Sequence, residues 1–227
     1  MSYDVPKRDR DIKPEEVREL VGRDDPLIFD LGCNDAETSA SFLCVMPLAH
    51  IICVECNPVP LKRFKLRGHS QVTLFECAVY HRNGRIKFFP SGGKIPGSTA
   101  PCADDWDYSG STRKPTGHLI RDSRITFDRE IEVEAKTLDH IANDFTGLLR
   151  GTIDFIHADL QGGEASMILG GQQTLVRTRW MYLETHKQEL YERQADLRGL
   201  LSFLPDWDLV SQWSENSLFK NREISDE

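Results

Sequence analysis

The sequence predicts an α/β fold in which helices cover both faces of a mostly parallel sheet. Short apolar runs, typical of buried strands, alternate along the chain with longer segments that have a helical pattern. The composition, with 39% hydrophobic and 28% charged residues in a chain of 227, is that of an ordinary globular domain. A chain of this length can bury a sufficient core without disulfides or a structural metal.

The composition also excludes several classes of protein. The 28 Lys and Arg residues against 36 Asp and Glu give a net charge of −8, so the chain lacks the basic surface that binds duplex nucleic acid. The first 23 residues contain no apolar segment of a signal peptide. The most apolar stretch, residues 42–54, is interrupted by Pro47 and His50 and is too short to span a membrane. We therefore predict a cytoplasmic protein whose six cysteines are free thiols.

The first third of the chain is predicted to contain three strands separated by helices. An N-terminal extension, residues 1–26, carries a short helix that starts at Pro14, a residue favoured in the first helical turn. Gly32 ends the first strand and Gly68 ends the helix before the third. The predicted strands are 27–31, 51–55 and 72–79, and the helices are 37–45 and 58–67.

The middle of the chain departs from this alternation. Asn83-Gly84 lies between two strand-like runs, 72–79 and 86–89, which is the pattern of a β-hairpin. Residues 91–124 show no periodicity and are rich in Gly and Pro, so we predict a long loop. A loop of this length inside a compact domain is typically functional.

The last part of the chain returns to alternating strands and helices, so residues 27–227 are predicted to form one domain with seven strands in its sheet. Thr137 is a predicted N-cap. The predicted strands are 131–135, 152–158, 180–184, 207–212 and 217–220, and the helices are 138–143, 163–176 and 189–204.

Ligands of open α/β sheets bind at the carboxyl ends of the strands, so the residues there are the candidate site. A single glycine, Gly32, follows the first strand, which argues against the glycine-rich turn that binds the pyrophosphate of NAD. Glu55 ends the second strand, where a carboxylate can accept both hydroxyls of a ribose. This combination favours a nucleoside without phosphates, such as S-adenosylmethionine. The alternative is that Asp30 and Glu55 are only a helix cap and a surface charge.

Six segments at these strand ends together resemble the FkbM family of S-adenosylmethionine-dependent methyltransferases. Two positions differ from the usual motifs of that family: Ala36 replaces a glycine, and Gln161 replaces a glutamate. The downstream triplet Glu189-Leu190-Tyr191 accompanies that glutamine in one branch of the family. The segments are 27–34 (LIFDLGCN), 54–58 (VECNP), 77–79 (CAV), 137–139 (TLD), 159–164 (DLQGGE) and 182–184 (YLE).

The resemblance implies a Rossmann-like class I methyltransferase fold with an inserted hairpin and long loop. It also implies O-methylation of a hydroxyl on a sugar, a glycan or a secondary metabolite. By the same resemblance the cofactor is S-adenosylmethionine. We also expect residues 91–124 to form a lid on the acceptor side, because this loop leaves the sheet near the third strand and its glycines allow it to flex. The residues implied to bind the cofactor are Asp30, Gly32 and Asn34 at its methionine end, Glu55 and Asn57 at the ribose, Cys77 and Ala78 at the adenine, and Asp159 beside the methyl group.

A sugar hydroxyl is a poor nucleophile at pH 7, so we expect a general base near the methyl group. The predicted catalytic residues are Asp159, Glu184 and His186, which follow neighbouring strands. His157 lies two residues before Asp159, on the same side of its strand, and is a fourth candidate. We expect no metal ion, although Asp159, Glu184 and His186 are also ligand types for a divalent metal.

Two other functions are compatible with the same pattern. The first is a catalytically inactive Rossmann-like domain that binds a nucleotide or a protein, and Ala36 and Gln161 favour it. The second is an NAD-dependent sugar dehydrogenase, which the absent glycine-rich motif disfavours. A small-molecule or glycan acceptor is the expected partner, and homo-oligomerisation is left open.

Overall fold

The computed structural model describes residues 5–8, 11–96, 105–145 and 151–225. Within these ranges eight helices and twelve strands are present. In chain order they are α1 (Pro14–Val21), β1 (Leu27–Leu31), α2 (Glu37–Val45), β2 (His50–Val54), α3 (Pro58–Leu61), β3 (Val72–Phe75), β4 (Ala78–Val79), β5 (Gly84–Phe88), β6 (Gly92–Gly93), α4 (His118–Arg121), β7 (Ile125–Thr126), β8 (Ile131–Lys136), α5 (Leu138–Asp144), β9 (Ile153–Ala158), α6 (Glu164–Leu169), α7 (Gln172–Leu175), β10 (Thr178–Glu184), α8 (Leu197–Ser202), β11 (Trp207–Gln212) and β12 (Asn216–Asn221).

Seven strands form the main sheet in the order β3-β2-β1-β9-β10-β12-β11. The first five in this order run parallel, and β12 is antiparallel to both of its neighbours. The strand order reverses between β1 and β9, where Asp30 lies opposite His157. The α/β prediction of a mostly parallel seven-stranded sheet is therefore confirmed, and its switch point lies between β1 and β9.

Helices cover both faces of this sheet, as predicted. On one face α1 and α2 pack through Val17, Val21, Phe42 and Met46. On the other face α5 to α8 pack against the sheet through apolar residues such as Leu138. Since successive residues of a strand point to opposite faces, each central strand contributes to both cores.

The predicted hairpin around Asn83-Gly84 is wrong. The third strand of the main sheet ends at Phe75, and the chain continues as β4 in a separate three-stranded sheet of order β4-β8-β5. Strand β8 lies between β4 and β5, with Ala135 opposite both Ala78 and Gly84. The Asn-Gly turn therefore joins two strands that each pair with β8 and not with each other.

Two predicted helices are shorter than their sequence pattern. α3 ends after one turn because the backbone N–H of Lys65 donates to the carbonyl of Asp35, at 2.9 Å, and not to its own helix. The predicted helix 189–204 is helical only in α8. Its first part is a turn in which the Gln194 side chain accepts from the N–H of Leu190, at 3.0 Å.

The predicted helix 163–176 is divided into α6 and α7 by Gly170 and Gly171. A Cβ at Gly170 would lie 2.4 Å from the carbonyl oxygen of Tyr80, so the chain needs glycine where it passes the small sheet.

The predicted long loop 91–124 is partly ordered. β6 pairs with β7, Phe89 pairs with Ser111, and α4 lies near the end of the segment. Residues 97–104 lie outside the described residues. None of the described helices is both long and apolar enough to cross a bilayer. The five cysteines in the described ranges are free thiols, as predicted.

Candidate functional site

A cavity of about 580 Å³ lies at the carboxyl ends of β1, β2 and β9, which we call the central cavity. All of the predicted cofactor residues except Asp30 and Asn57 line it, and the described lining contains no Lys or Arg. The lining is Gly32, Asn34, Val54, Glu55, Cys56, Cys77, Ala78, Val79, Phe88, Tyr108, Gly110, Thr112, Asp159, Leu160 and Gln161.

Glu55 is buried beneath the central cavity with its carboxylate held by three backbone N–H groups. Asn34 donates to Oε2 at 2.9 Å, and Cys56 and Asn57 donate to Oε1 at 2.7 and 2.6 Å. Burial raises the pKa of Glu55 to about 7, although these hydrogen bonds oppose the shift. A carboxylate fixed at the end of the second strand has the position and chemistry to accept ribose hydroxyls.

Gly32 occupies a position where only glycine fits. Its φ is +79°, and a Cβ there would lie 2.0 Å from the carbonyl oxygen of Asp159. The turn after β1 therefore contacts the backbone at the end of β9 directly. Ala36, which replaces the usual family glycine, has φ +70°, so the chain keeps the left-handed turn with an alanine in it.

Part of the long loop is tied to the wall of the central cavity by a network that the sequence analysis missed. Arg63 Nη1 donates to Asp107 at 2.6 Å, and Arg63 Nη2 donates to Asn34 Oδ1 at 3.0 Å. Asn34 in turn donates to Asp107 at 3.3 Å. Asp107 is buried, and Tyr108 beside it lines the cavity. Tyr108, Gly110 and Thr112 of the loop thus form part of the lining of the central cavity.

The two predicted cofactor residues outside the lining have other contacts. Asp30 is fully buried and accepts from Ser39 Oγ and pairs with His157 Nδ1, 2.9 Å away. Asn57 caps α3 by accepting from Val59, at 3.1 Å, and its N–H holds Glu55. Asn57 thus helps to position the Glu55 carboxylate without lining the cavity, and Asp30 contacts His157.

Asp159 and Glu184, two of the three predicted catalytic residues, form a carboxyl pair at the edge of the central cavity. Gln161 Nε2 donates to Asp159 Oδ1 at 2.6 Å and to both Glu184 oxygens at 3.1 Å. Asp159 is accessible from the cavity, whereas Glu184 is largely buried. Burial and the proximity of Asp159 raise the pKa of Glu184 well above its usual range. Of the two carboxyl groups, Glu184 is therefore the one that binds a proton more readily.

His186, the third predicted catalytic residue, is buried behind Glu184. Its Nε2 lies 2.8 Å from Glu184 Oε1, but without the alignment of a hydrogen bond. Burial lowers the pKa of His186, against the opposing effect of Glu215. His186 therefore packs against Glu184 and is not part of the cavity lining.

The contact between Gln161 and Tyr191 was not predicted, although both motifs were noticed. Tyr191 is fully buried, and its hydroxyl lies 2.6 Å from Gln161 Oε1 and 2.9 Å from the carbonyl of Ser109. Gly162 gives the aromatic ring room, since a Cβ there would lie 3.2 Å from it. The tyrosine thereby orients the amide so that its NH₂ faces the carboxyl pair.

Within the described ranges no group of three or more His, Cys, Asp and Glu side chains could hold a metal ion. The central cavity instead fits a nucleoside cofactor. It has a fixed carboxylate for a ribose, small residues such as Ala78 beside it, and no cation for phosphates in the described lining. These are the properties expected for S-adenosylmethionine.

Comparisons with known proteins agree with this geometry. A relative, the 2-O-methyltransferase NoeI of Sinorhizobium fredii (strain NBRC 101917 / NGR234), is 40% identical over 200 residues, which are 87% of this chain and 79% of NoeI. The METTL16 MTase domain aligns with a TM-score of 0.50 and 10% identity over 93% of this chain and 66% of that chain. An rRNA methylase from Streptococcus thermophilus aligns with a TM-score of 0.46 and 10% identity, over 92% of this chain and 93% of that chain.

The last two likenesses concern the fold alone, whereas the family match and NoeI concern the sequence itself. The model of the methyltransferase FkbM domain matches residues 26–211. Because this match covers most of the chain and a relative at 40% identity supports it, the chain belongs to the FkbM family of S-adenosylmethionine-dependent methyltransferases.

Proposed function

We propose that this methyltransferase acts on a hydroxyl oxygen of a sugar or glycan. The observation that carries the proposal is that one cavity is lined both by Glu55 and by Asp159, which Gln161 holds beside Glu184. The relative NoeI is named a 2-O-methyltransferase, which supports oxygen as the methyl acceptor. Family membership does not favour the alternative of an inactive nucleotide-binding domain.

In this proposal the central cavity holds the cofactor along its length. Glu55 binds the ribose, Cys77 and Ala78 flank the adenine, and Gly32 and Asn34 lie at the methionine end. When bound there, S-adenosylmethionine supplies an electrophilic methyl group on a sulfonium. The turn at Gly32 lets the backbone approach the ligand closely.

Asp159 is the proposed catalytic residue that faces the reacting atoms. Asp159 lines the cavity and Glu184 does not, so the Asp159 carboxylate is the one placed to stabilise a cationic centre there. Gln161 fixes the orientation of both carboxyl groups. In this arrangement Glu184 and His186 are positioning residues that act through Asp159.

Three further expectations belong to the same proposal. Residues 91–124 form the lid of a single domain, 27–227, and the Arg63–Asp107 ion pair supports a closed loop. The net charge of −8 supports an acceptor other than duplex nucleic acid. Free thiols support a cytoplasmic setting.

Calorimetry with S-adenosylmethionine and S-adenosylhomocysteine tests the assignment of the central cavity. We expect both to bind the wild-type protein, and Glu55→Ala to bind them about ten- to a hundredfold more weakly, since a buried hydrogen-bonded charge is lost. Glu134→Ala, an exposed glutamate on β8, is the control. Equal affinity of the Glu55 variant and wild type would remove Glu55 from the ribose role. Indifference of the wild type to both ligands would contradict the assigned cofactor site.

A further inference from the structure

A second cavity, of about 820 Å³, lies on the face of the main sheet that α1 and α2 cover. We call it the side cavity. Its lining includes Pro14, Thr38, Ser41, Phe42, His157 and Tyr182. Asp159 also lines it, and Asp159 is the one residue that the described linings of the two cavities share. The two cavities therefore meet at the carboxylate proposed to face the methyl group.

The side cavity contains an imidazole that is fixed by a buried carboxylate. His157 Nδ1 lies 2.9 Å from Asp30 Oδ1, and Asp30 has no exposed surface. The ring stacks on Tyr182 at 5.9 Å with an interplanar angle of 15°, and Phe42 meets it edge-on at 6.3 Å. Since Nδ1 is engaged by Asp30, Nε2 is the ring nitrogen left for a ligand.

This arrangement is one that makes histidine an effective proton acceptor. The carboxylate holds the neutral ring with its proton on Nδ1 and stabilises the imidazolium that forms when Nε2 is protonated. Burial lowers the pKa of His157, but Asp30, Asp159 and Asp11 raise it by more, so that the net shift is upward. Glu37 of α2 also lines the cavity and adds negative charge.

The chemistry of the lining indicates the class of ligand. Thr38 and Ser41 carry hydroxyls, and Asp11, Glu37 and Asp159 carry carboxylates that accept hydrogen bonds. The Tyr182 hydroxyl already donates to Asp11, at 2.9 Å. Apolar contact comes from residues that include Pro14 and Phe42. The described lining contains no Lys or Arg, which an anionic ligand would require. A neutral ring with several hydroxyls fits these properties.

We propose that the side cavity is the acceptor site, that it takes a neutral sugar ring, and that Nε2 of His157 accepts the proton of the hydroxyl to be methylated. The inference rests on the proposed function. It moves the acceptor away from the long loop, which lies over the central cavity. It also assigns the proton to a residue outside the Asp159–Glu184 pair.

The step balances in atoms and charge. The acceptor oxygen forms a bond to the methyl carbon as the bond from that carbon to sulfur breaks, and sulfur keeps the electron pair and becomes a neutral thioether. The hydroxyl proton goes to Nε2 of His157. Positive charge thus moves from the sulfonium to the imidazole, where buried Asp30 stabilises it.

The first test maps the acceptor without relying on turnover. A ¹⁵N-labelled full chain saturated with S-adenosylhomocysteine is titrated with neutral methyl hexopyranosides, and a hexuronic acid is the anionic comparison. We expect shifts in the amide signals of Thr38, Ser41, Phe42 and His157 with a neutral glycoside. Thr38→Trp, which fills the side cavity from α2, should abolish these shifts and leave donor affinity within about threefold.

Shifts confined to residues 105–112, or no shift with any neutral glycoside, would overturn the acceptor assignment. Donor binding measured by calorimetry on the same samples separates the two proposals. If S-adenosylmethionine fails to bind, the proposed function fails. If it binds and the glycosides shift other residues, only the acceptor site is wrong.

The second test concerns His157 itself. Long-range ¹⁵N–¹H spectra should show a neutral imidazole protonated on Nδ1 and a pKa above that of an ordinary histidine. With a glycoside that binds, His157→Gln should lower kcat by about 10²–10⁴ and leave donor affinity within about threefold. The control is His50→Gln, because His50 is an exposed histidine at the amino end of β2, away from the cavities at the carboxyl ends of the strands. A His157 protonated on Nε2 when neutral, or normal turnover by His157→Gln, would contradict the assignment.

Discussion

The two faces of strands β9 and β10 carry different chemistry. Towards α5–α8 they present Ile156, Met181 and Leu183, which are fully buried and apolar. Towards α1 and α2 they present His157 and Tyr182, beside buried Asp30. The face towards α1 and α2 is also apolar at Phe155 and Trp180, but only this face carries polar groups near the carboxyl ends of the two strands. Substitutions on the apolar face should therefore change the free energy of unfolding, and substitutions among the polar groups should change kcat.

The largest expected effect is on the polar side. Asp159→Asn keeps the size of the side chain but removes its charge, so we expect kcat to fall by about 10²–10⁴ with donor affinity within about tenfold. The free energy of unfolding should change little, because asparagine keeps the size of the side chain and its Oδ1 can still accept from Gln161. Turnover is measured on a bound glycoside and stability in urea. If Asp159→Asn is less stable than the wild type and has a normal kcat, Asp159 stabilises the fold and does not take part in catalysis.

The matching change on the apolar face is Ile156→Ala. Ile156 has no exposed surface, so its truncation leaves a cavity and should lower the free energy of unfolding by about 2–5 kcal/mol. Donor affinity at a temperature where the variant is folded should equal that of the wild type. A loss of affinity with little loss of stability would show that the two faces are not separate in their roles.

A third change sharpens the comparison through pH. Because the pKa of Glu55 is raised to about 7, the folded state keeps its proton where an ordinary glutamate has lost it. This group makes the protein less stable as the pH rises from about 4.5 to 7. The ionised form accepts ribose hydroxyls, so donor affinity should fall as the pH is lowered through about 7. Calorimetry from pH 5.5 to about 8.5 measures this fall, and Glu55→Gln should flatten it.

The smallest expected effect concerns Tyr191. Tyr191→Phe removes the hydroxyl that orients Gln161 and keeps the ring packing, so kcat should fall by about three- to tenfold, the value of one net hydrogen bond. Gln161→Ala removes the amide as well and should have a larger effect. If Tyr191→Phe lowers kcat as much as Gln161→Ala does, the Tyr191 hydroxyl does more than orient the Gln161 amide.

The features that could be predicted from the sequence are those encoded by neighbouring residues. Apolar runs identified the strands at the centre of the main sheet because β1, β2, β9 and β10 are largely buried on both faces. Gly32 and Glu55 were found because the ends of parallel strands meet at one edge of a sheet. The family motifs then added Cys77, Ala78 and Asp159, which all line the central cavity.

The features that were missed depend on pairs far apart in the chain. Asn83-Gly84 has the local pattern of a hairpin, but β8, about fifty residues later, separates the strands that it joins. Arg63 reaches Asp107 across 44 residues, and a basic helical stretch carries no signal for that partner. Asp30 and His157 are 127 residues apart, so their pairing appears only when β1 and β9 are adjacent.

The meeting of the two cavities at Asp159 has a kinetic consequence. Since their described linings have only this residue in common, the donor product can leave one cavity while the acceptor stays in the other. We expect either ligand to bind first, with product inhibition by S-adenosylhomocysteine competitive against the donor and not against the acceptor. A glycan with several free hydroxyls could then move by one sugar residue within the side cavity and receive a second methyl group without dissociating.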